Sequence, residues 1–91
     1  MLIIRNTGLF AKKIKENWFI LKEKDTEVQE LNEIAGYIWE MAEKPVDTDI
    51  IITKLTKIYD ADLKIIETYV NNFVEKFLKE GYVKRLHYKS S

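Results

Sequence analysis

The sequence predicts an α+β domain in which an N-terminal three-stranded antiparallel sheet is followed by three helices. Short runs of β-branched and aromatic residues, separated by polar turn clusters, occupy the first 31 residues. Beyond them, apolar residues recur at three- and four-residue spacing behind capping residues, as in amphipathic helices. Ninety-one residues with 46% hydrophobic content indicate one globular domain, residues 1–91.

The strands are predicted from local composition. The first runs from Phe10 to Lys15, a turn follows at Glu16-Asn17, and Trp18–Leu21 reads as a strand buried on both faces. Residues 26–31 form the third strand, and its polar side chains suit a sheet edge. The segment Leu2–Ile4 fits either a strand or part of a flexible end over residues 1–8, residues 87–91 are open to the same flexibility, and residues 82–86 fit a short final strand.

Three helices follow, each with a cap. Asn32 suits the N-cap of a helix from Glu33 to Glu43, which stops before Pro45. Asp47 or Thr48 caps the second helix, with an apolar side at Ile51, Leu55, Ile58 and Tyr59. Asp62 caps the third, which extends to about Glu80 and stops at Gly81. A helix, a turn and a helix after a sheet together suggest a winged helix-turn-helix arrangement.

The third helix carries more apolar surface than one neighbour needs. Its central stripe is Ile66, Val70, Phe73 and Phe77. The ordinary interpretation is a helix wedged between other elements. The functional interpretation is that a flank of this helix lines a groove beside the third strand, and that flank comprises Ile65, Tyr69, Asn72, Phe73 and Lys76.

The sequence contains no pattern typical of a catalytic or cofactor site. Cysteine is absent, the single histidine is His87 among basic residues, and the three glycines are isolated. We therefore expect no enzymatic activity of this chain alone, no cofactor and no metal. The N-terminus lacks a signal-peptide pattern and no window is long and apolar enough to span a membrane, so we expect a cytoplasmic protein without membrane contact.

Electrostatics disfavours nucleic acid as a partner. The net charge is zero, but residues 18–81 hold 14 acidic and eight basic side chains. The start of the third helix, where a recognition helix reads bases, carries Asp60, Asp62 and Glu67. A winged-helix DNA-binding regulator using the basic residues near both ends is the alternative, and a subunit that docks on a larger enzyme is a third. An edge strand beside an apolar helix face favours a peptide that adds as a strand, and the same open edge allows a homodimer.

The chain resembles the PqqD-like family, which supplies the recognition element for precursors of ribosomally made, modified peptides. The matching positions are Leu31-Asn32, Ala35-Gly36, Ile38-Trp39-Glu40, Leu55, Tyr59, Val70, Phe73, Leu78 and Gly81-Tyr82-Val83. One departure is Glu43-Lys44-Pro45, where many members have an Asp-Gly pair.

The resemblance implies a winged helix-turn-helix protein that is not an enzyme. It implies that the protein binds the leader segment of a precursor peptide and presents the core to a modifying enzyme, either a radical S-adenosylmethionine maturase or a leader peptidase. In the family the leader pairs with the third strand and lies against the third helix. By position this implies backbone pairing at Glu27, Val28, Gln29 and Glu30, and a groove at Ile65, Tyr69, Asn72, Phe73 and Lys76.

Overall fold

The computed structural model describes residues 1–87 and contains three helices and two antiparallel sheets. The helices are α1 (Glu33–Met41), α2 (Thr48–Tyr59) and α3 (Leu63–Glu80). The strands are β1 (Leu2–Arg5), β2 (Leu9–Ile14), β3 (Asn17–Lys22), β4 (Gln29–Glu30), β5 (Val46–Asp47) and β6 (Val83–Leu86). The predicted mixture of an antiparallel sheet and three helices is confirmed.

The first sheet is the predicted meander, with strand order β2-β3-β4. Strands β2 and β3 form a hairpin whose last pair is Ile14 with Asn17, so its loop is Lys15-Glu16, one residue earlier than the predicted turn. Strand β3 is not buried on both faces as predicted, since only Ile20 is fully buried. The outer face of this sheet has no covering layer among the described residues, which is why Phe19 and Leu21 stay partly exposed.

The predicted third strand is too long, because only Gln29 and Glu30 pair with β3 as strand β4. Residues 23–28 form a turn and an irregular segment instead, beginning with a hydrogen bond from the Asp25 amide to the Lys22 carbonyl. All of these side chains are exposed, so no apolar residue holds the segment against β3. The sheet therefore ends in a short, open edge.

The second sheet has strand order β5-β1-β6 and joins both ends of the described chain. Strand β1 lies in its middle, with Ile3 fully buried, so of the two alternatives predicted for this segment the structure has the strand, over Leu2–Arg5. The short final strand is confirmed as β6, which pairs with β1 along four residue pairs. His87 is exposed, and residues 88–91 of the predicted flexible C-terminal end lie outside the described residues.

The predicted caps are all present. The side chains of Asn32, Asp47 and Asp62 each accept a hydrogen bond from a backbone amide in the first turn of their helix. Gly81 ends α3 with a φ of 77°, in the left-handed region that glycine favours. Helix α1 ends at Met41, two residues earlier than predicted.

The core lies between the three helices and the inner faces of both sheets. Helix α3 contributes Ile66, Val70, Val74 and Phe77 to this core. In α2 the predicted buried side is partly wrong, because Ile58 is 53% exposed whereas Ile52 is buried. No helix within residues 1–87 is long and apolar enough to cross a membrane.

Candidate functional site

Strand β4 is held firmly at its C-terminal side. The Leu31 amide donates to the Trp18 carbonyl at 2.8 Å, and the Leu31 side chain is buried. The next residue, Asn32, caps α1 by accepting from the Ala35 amide at 2.9 Å. The chain therefore passes from β4 into α1 without a linker, as the sequence predicted, and the position of β4 relative to the helices is fixed.

The register of the ladder shows which backbone groups of β4 are free. In antiparallel pairs, hydrogen-bonded and non-bonded residue pairs alternate. Because Leu31 is bonded to Trp18, the Gln29–Ile20 pair is bonded as well, and the intervening Glu30–Phe19 pair is not. The amide and carbonyl of Glu30 therefore point away from β3 toward the open edge. An additional strand has these two groups available for pairing.

The side chains of this segment alternate between two faces. Gln29 lies on the same face as its cross-strand neighbour Ile20, which is buried toward the helices. Glu30 lies on the opposite face, where its carboxylate accepts a hydrogen bond from the Asn17 side chain at 3.0 Å. Val28 is 56% exposed and lines a cavity on that outer face. The backbone groups alternate in the same way. Of the four residues predicted for backbone pairing, only Glu30 and, in an extended ladder, Val28 can therefore turn their amide and carbonyl toward an added strand.

A groove separates β4 from α3. Its cavity of about 130 Å³ has Gln29 and Glu30 on one side and Phe73, Lys76 and Phe77 of α3 on the other. Phe73 is half-buried and Phe77 is buried, so the α3 side of the groove is mainly apolar. The structure thus brings together two residues from each half of the predicted site, Gln29 and Glu30 with Phe73 and Lys76.

The other predicted helix residues continue this surface along α3 rather than lining the cavity. Ile65 is 55% exposed and Tyr69 is 51% exposed, and Asn72 is exposed too. Positions 65, 69, 73 and 76 lie three or four residues apart, so they form one row over a length of roughly 16 Å at 1.5 Å per residue. An extended peptide covers that length with about five residues.

A second cavity of about 310 Å³ adjoins the first, with which it shares Gln29, Lys76 and Tyr82. Glu27 and Lys76 both line it, and Glu27 precedes β4 rather than lying in a strand. Glu80 also lines it and is paired with Lys22 at 3.0 Å. The hydrogen bond from Lys22 lowers the pKa of Glu80 below its ordinary value.

Sequence reasoning missed part of the groove wall. Tyr82 is buried, lines both cavities, and packs edge-on against Phe77 with ring centroids 5.6 Å apart. Lys22 lies 5.6 Å above the Tyr82 ring. A signal was available, since Tyr82 directly follows the glycine that ends α3 and so returns the chain beneath that helix.

Two comparisons with known proteins give matches. The model of the family described as Coenzyme PQQ synthesis protein D (PqqD) matches residues 17–83, well over half of the chain and all of the groove. A solved structure described as TbiB1 in complex with the TbiA(beta) leader peptide is similar with a TM-score of 0.81 and 13% sequence identity. The similarity covers 93% of this chain and 99% of that one, and at this identity it shows a shared fold. No curated protein matches the chain.

Proposed function

The chain belongs to the PqqD family, and from this premise we propose that it binds the leader segment of a ribosomally synthesised precursor peptide. The observation that carries the proposal is the open edge of β4 beside an apolar wall of α3. Such an edge accepts an extended peptide as one more strand, in which main-chain hydrogen bonds supply affinity and flanking pockets supply specificity. The solved structure of similar fold is described as holding a leader peptide, which supports this choice of ligand.

In this proposal the leader forms two kinds of contact. Its backbone pairs with Glu30, and with Val28 once the segment before β4 extends the ladder. Its side chains on the inner face meet Gln29 and Glu27 on one side and Phe73 on the other. Ile65 and Tyr69 cover the apolar side chains farther along, and Asn72 and Lys76 supply polar contacts at the rim.

The protein acts in this account as a carrier and not as a catalyst. It holds the leader so that the core of the precursor reaches a modifying enzyme, either a radical S-adenosylmethionine maturase or a leader peptidase. We also interpret the arrangement of α2 and α3 as the helix-turn-helix of a winged domain, supported by the short turn over residues 60–62 that joins them.

Calorimetric titration with synthetic leader peptides, taken from precursors encoded beside the gene, tests the proposal. We expect saturable binding to one leader with little dependence on salt. A proline scan of that leader should reduce affinity at alternate positions, because proline cannot donate to a ladder and only alternate amides of an added strand face β4. Absence of binding to every leader, together with salt-sensitive binding to duplex DNA, would support the DNA-binding regulator instead.

A further inference from the structure

The outer face of the β2-β3-β4 sheet, on the side away from the helices, is apolar and open. Phe10 is 63% exposed, Val28 is 56% exposed, and Ile14 is exposed too. Together with Phe19 and Leu21 they line a cavity of about 290 Å³. A group of large apolar side chains on an exposed sheet face is a mark of an interaction surface. The leader groove lies on the opposite face of this sheet, so this surface has a different use.

The register places these side chains in rows across the sheet. Phe10 lies opposite Leu21, and Val28 lines the same cavity beyond Leu21. In the next row, Lys12 lies opposite Phe19, and Phe19 lies opposite Glu30. Cross-strand partners point to the same face, so Lys12 and Glu30 flank Phe19 at the same level along the strands. The row thus carries a positive charge at one end, an aromatic ring in the middle and a negative charge at the other end.

We propose that this face binds a second copy of the chain to form a two-fold symmetric, sheet-on-sheet dimer. Consider a two-fold axis that runs parallel to the strands above β3. It places β2 of one copy over β4 of the other, and residues of the same row then face each other. Lys12 then meets Glu30 of the other copy, twice, while Phe19 meets its own copy at the centre. Phe10 meets Val28 in the adjacent row. The face is therefore self-complementary in both charge and apolarity, as a two-fold interface requires.

The two charged groups are available for this contact. Among residues 1–87, Lys12 belongs to no ion pair, since the lysines that do are Lys13 and Lys22. The Glu30 carboxylate accepts a hydrogen bond from the neutral Asn17 side-chain amide at 3.0 Å and forms no ion pair within residues 1–87. Both residues lie on the outer strands, where the pairs form the polar rim around an apolar centre. Rim charges set the register of an interface more than its strength.

The size of the face sets the expected strength. Three strands about 4.8 Å apart, over about five residues of about 3.3 Å each, give a patch of roughly 14 by 17 Å. That is well below the area of a standard stable interface, so we expect a weak, reversible dimer that forms as concentration rises. Sedimentation equilibrium on the full 10.8 kDa chain over a concentration series should show a monomer–dimer equilibrium.

Charge reversal tests the register. Lys12→Glu alone turns each of the two Lys12–Glu30 contacts into a pair of facing carboxylates, and Glu30→Lys alone turns each into a pair of facing ammonium groups, so each variant should dimerise roughly tenfold more weakly. Mixing the two variants should restore association as a heterodimer, because each reversed charge then meets its opposite. The double variant should restore the homodimer, and Lys54→Glu on the exposed side of α2 is the matched control that should change nothing.

The outcomes are distinguishable from those of the leader proposal. Lys12→Glu should keep its affinity for the leader, because Lys12 faces away from α3. A wild-type chain that stays monomeric at the highest concentrations would overturn the dimer, as would a dimer that is insensitive to the charge reversals. Absence of leader binding in a chain that dimerises as described would remove the proposed function and leave this inference standing.

Discussion

Truncation of Tyr69 to alanine should weaken leader binding strongly while leaving the fold intact. Tyrosine contributes about 150–250 Å² of surface, and 51% of Tyr69 is exposed in the free protein. A leader that covers this exposed part removes roughly 75–125 Å² from water, which at about 25 cal/mol per Å² corresponds to roughly 2–3 kcal/mol. The dissociation constant should therefore rise by up to roughly 30- to 150-fold. This is an upper bound, because binding also orders side chains.

Fluorescence polarisation with a labelled leader peptide measures this change, and thermal melting measures the fold. Tyr69→Phe is the first control, because it keeps the ring and should bind nearly as the wild type does. Ile58→Ala is the second, because Ile58 is exposed to a similar extent on α2, away from the groove, and should not change the affinity. An unchanged affinity in Tyr69→Ala would refute the claim that the leader lies along this row of α3. A large loss of leader affinity in Ile58→Ala would show that the effect is not specific to the groove side of the protein.

Three further predictions follow from the geometry of single residues. Glu30→Pro removes an amide that faces the open edge, so titration should show leader binding weakened by roughly 0.5–1.5 kcal/mol. Gln29→Pro removes an amide that pairs with β3, so it should lower the melting temperature more than Glu30→Pro does. A lower melting temperature in Glu30→Pro than in Gln29→Pro would contradict the register. Gly81→Ala places a side chain on a backbone with a φ of 77°, where no other atom lies close to the new Cβ. Urea unfolding should therefore show a free energy of unfolding lower by about 1 kcal/mol. An unchanged unfolding midpoint would contradict strain at this cap. Hydrogen bonds to Glu40, first from Lys13 and then from the Trp18 indole, lower the pKa of Glu40 in the folded state. The contribution of Glu40 to stability is therefore present above its unfolded-state pKa and is lost as pH falls through its folded-state pKa. Glu40→Gln should reduce this loss of stability at acid pH in tryptophan-monitored melts, and parallel plots of melting temperature against pH for the two proteins would contradict it.

The helices could be predicted because their signals are local. Each start is marked by a residue whose side chain accepts from an amide two or three positions later, as at Asn32 and Asp62. The end of α3 is marked by Gly81, whose backbone conformation favours glycine. The direct passage from β4 into α1 at Leu31-Asn32 was predictable for the same reason, since strand, cap and apolar helix face follow each other directly in the chain.

Two strands of the second sheet had a local signal, at Leu2–Ile4 and at residues 82–86, but their pairing had none. Strand β1 pairs with β6, about 80 residues away in sequence, and with the two-residue β5. Pairing at such distance depends on the packing of Ile3 into a core that the rest of the chain builds, which local composition does not encode. The prediction that Ile58 is buried failed for a similar reason. Periodicity shows which side of a helix is apolar, but it does not show which neighbouring elements cover the margin of that side.

Which residues meet at the groove could be predicted in part from the sequence, whereas the direction of each backbone group could not. The sequence places Gln29, Glu30, Phe73 and Lys76 on a strand and a helix that could meet, and the structure brings them to one groove. The assignment of Glu30 to the open edge and Gln29 to the ladder depends on the register with β3, which only the structure supplies. Tyr82 was missed as part of the groove, although its place directly after Gly81 indicates that the chain turns back there.

Amide hydrogen exchange at Glu30, followed by NMR with and without a bound leader peptide, tests the central claim most directly. In the free protein the Glu30 amide faces the open edge and should exchange quickly, whereas the Leu31 amide is already bonded to Trp18 and should exchange slowly. If the leader adds as a strand, its binding should slow exchange at Glu30 by a large factor and change Leu31 far less. A leader that binds tightly while Glu30 continues to exchange at its free rate would contradict strand addition at β4.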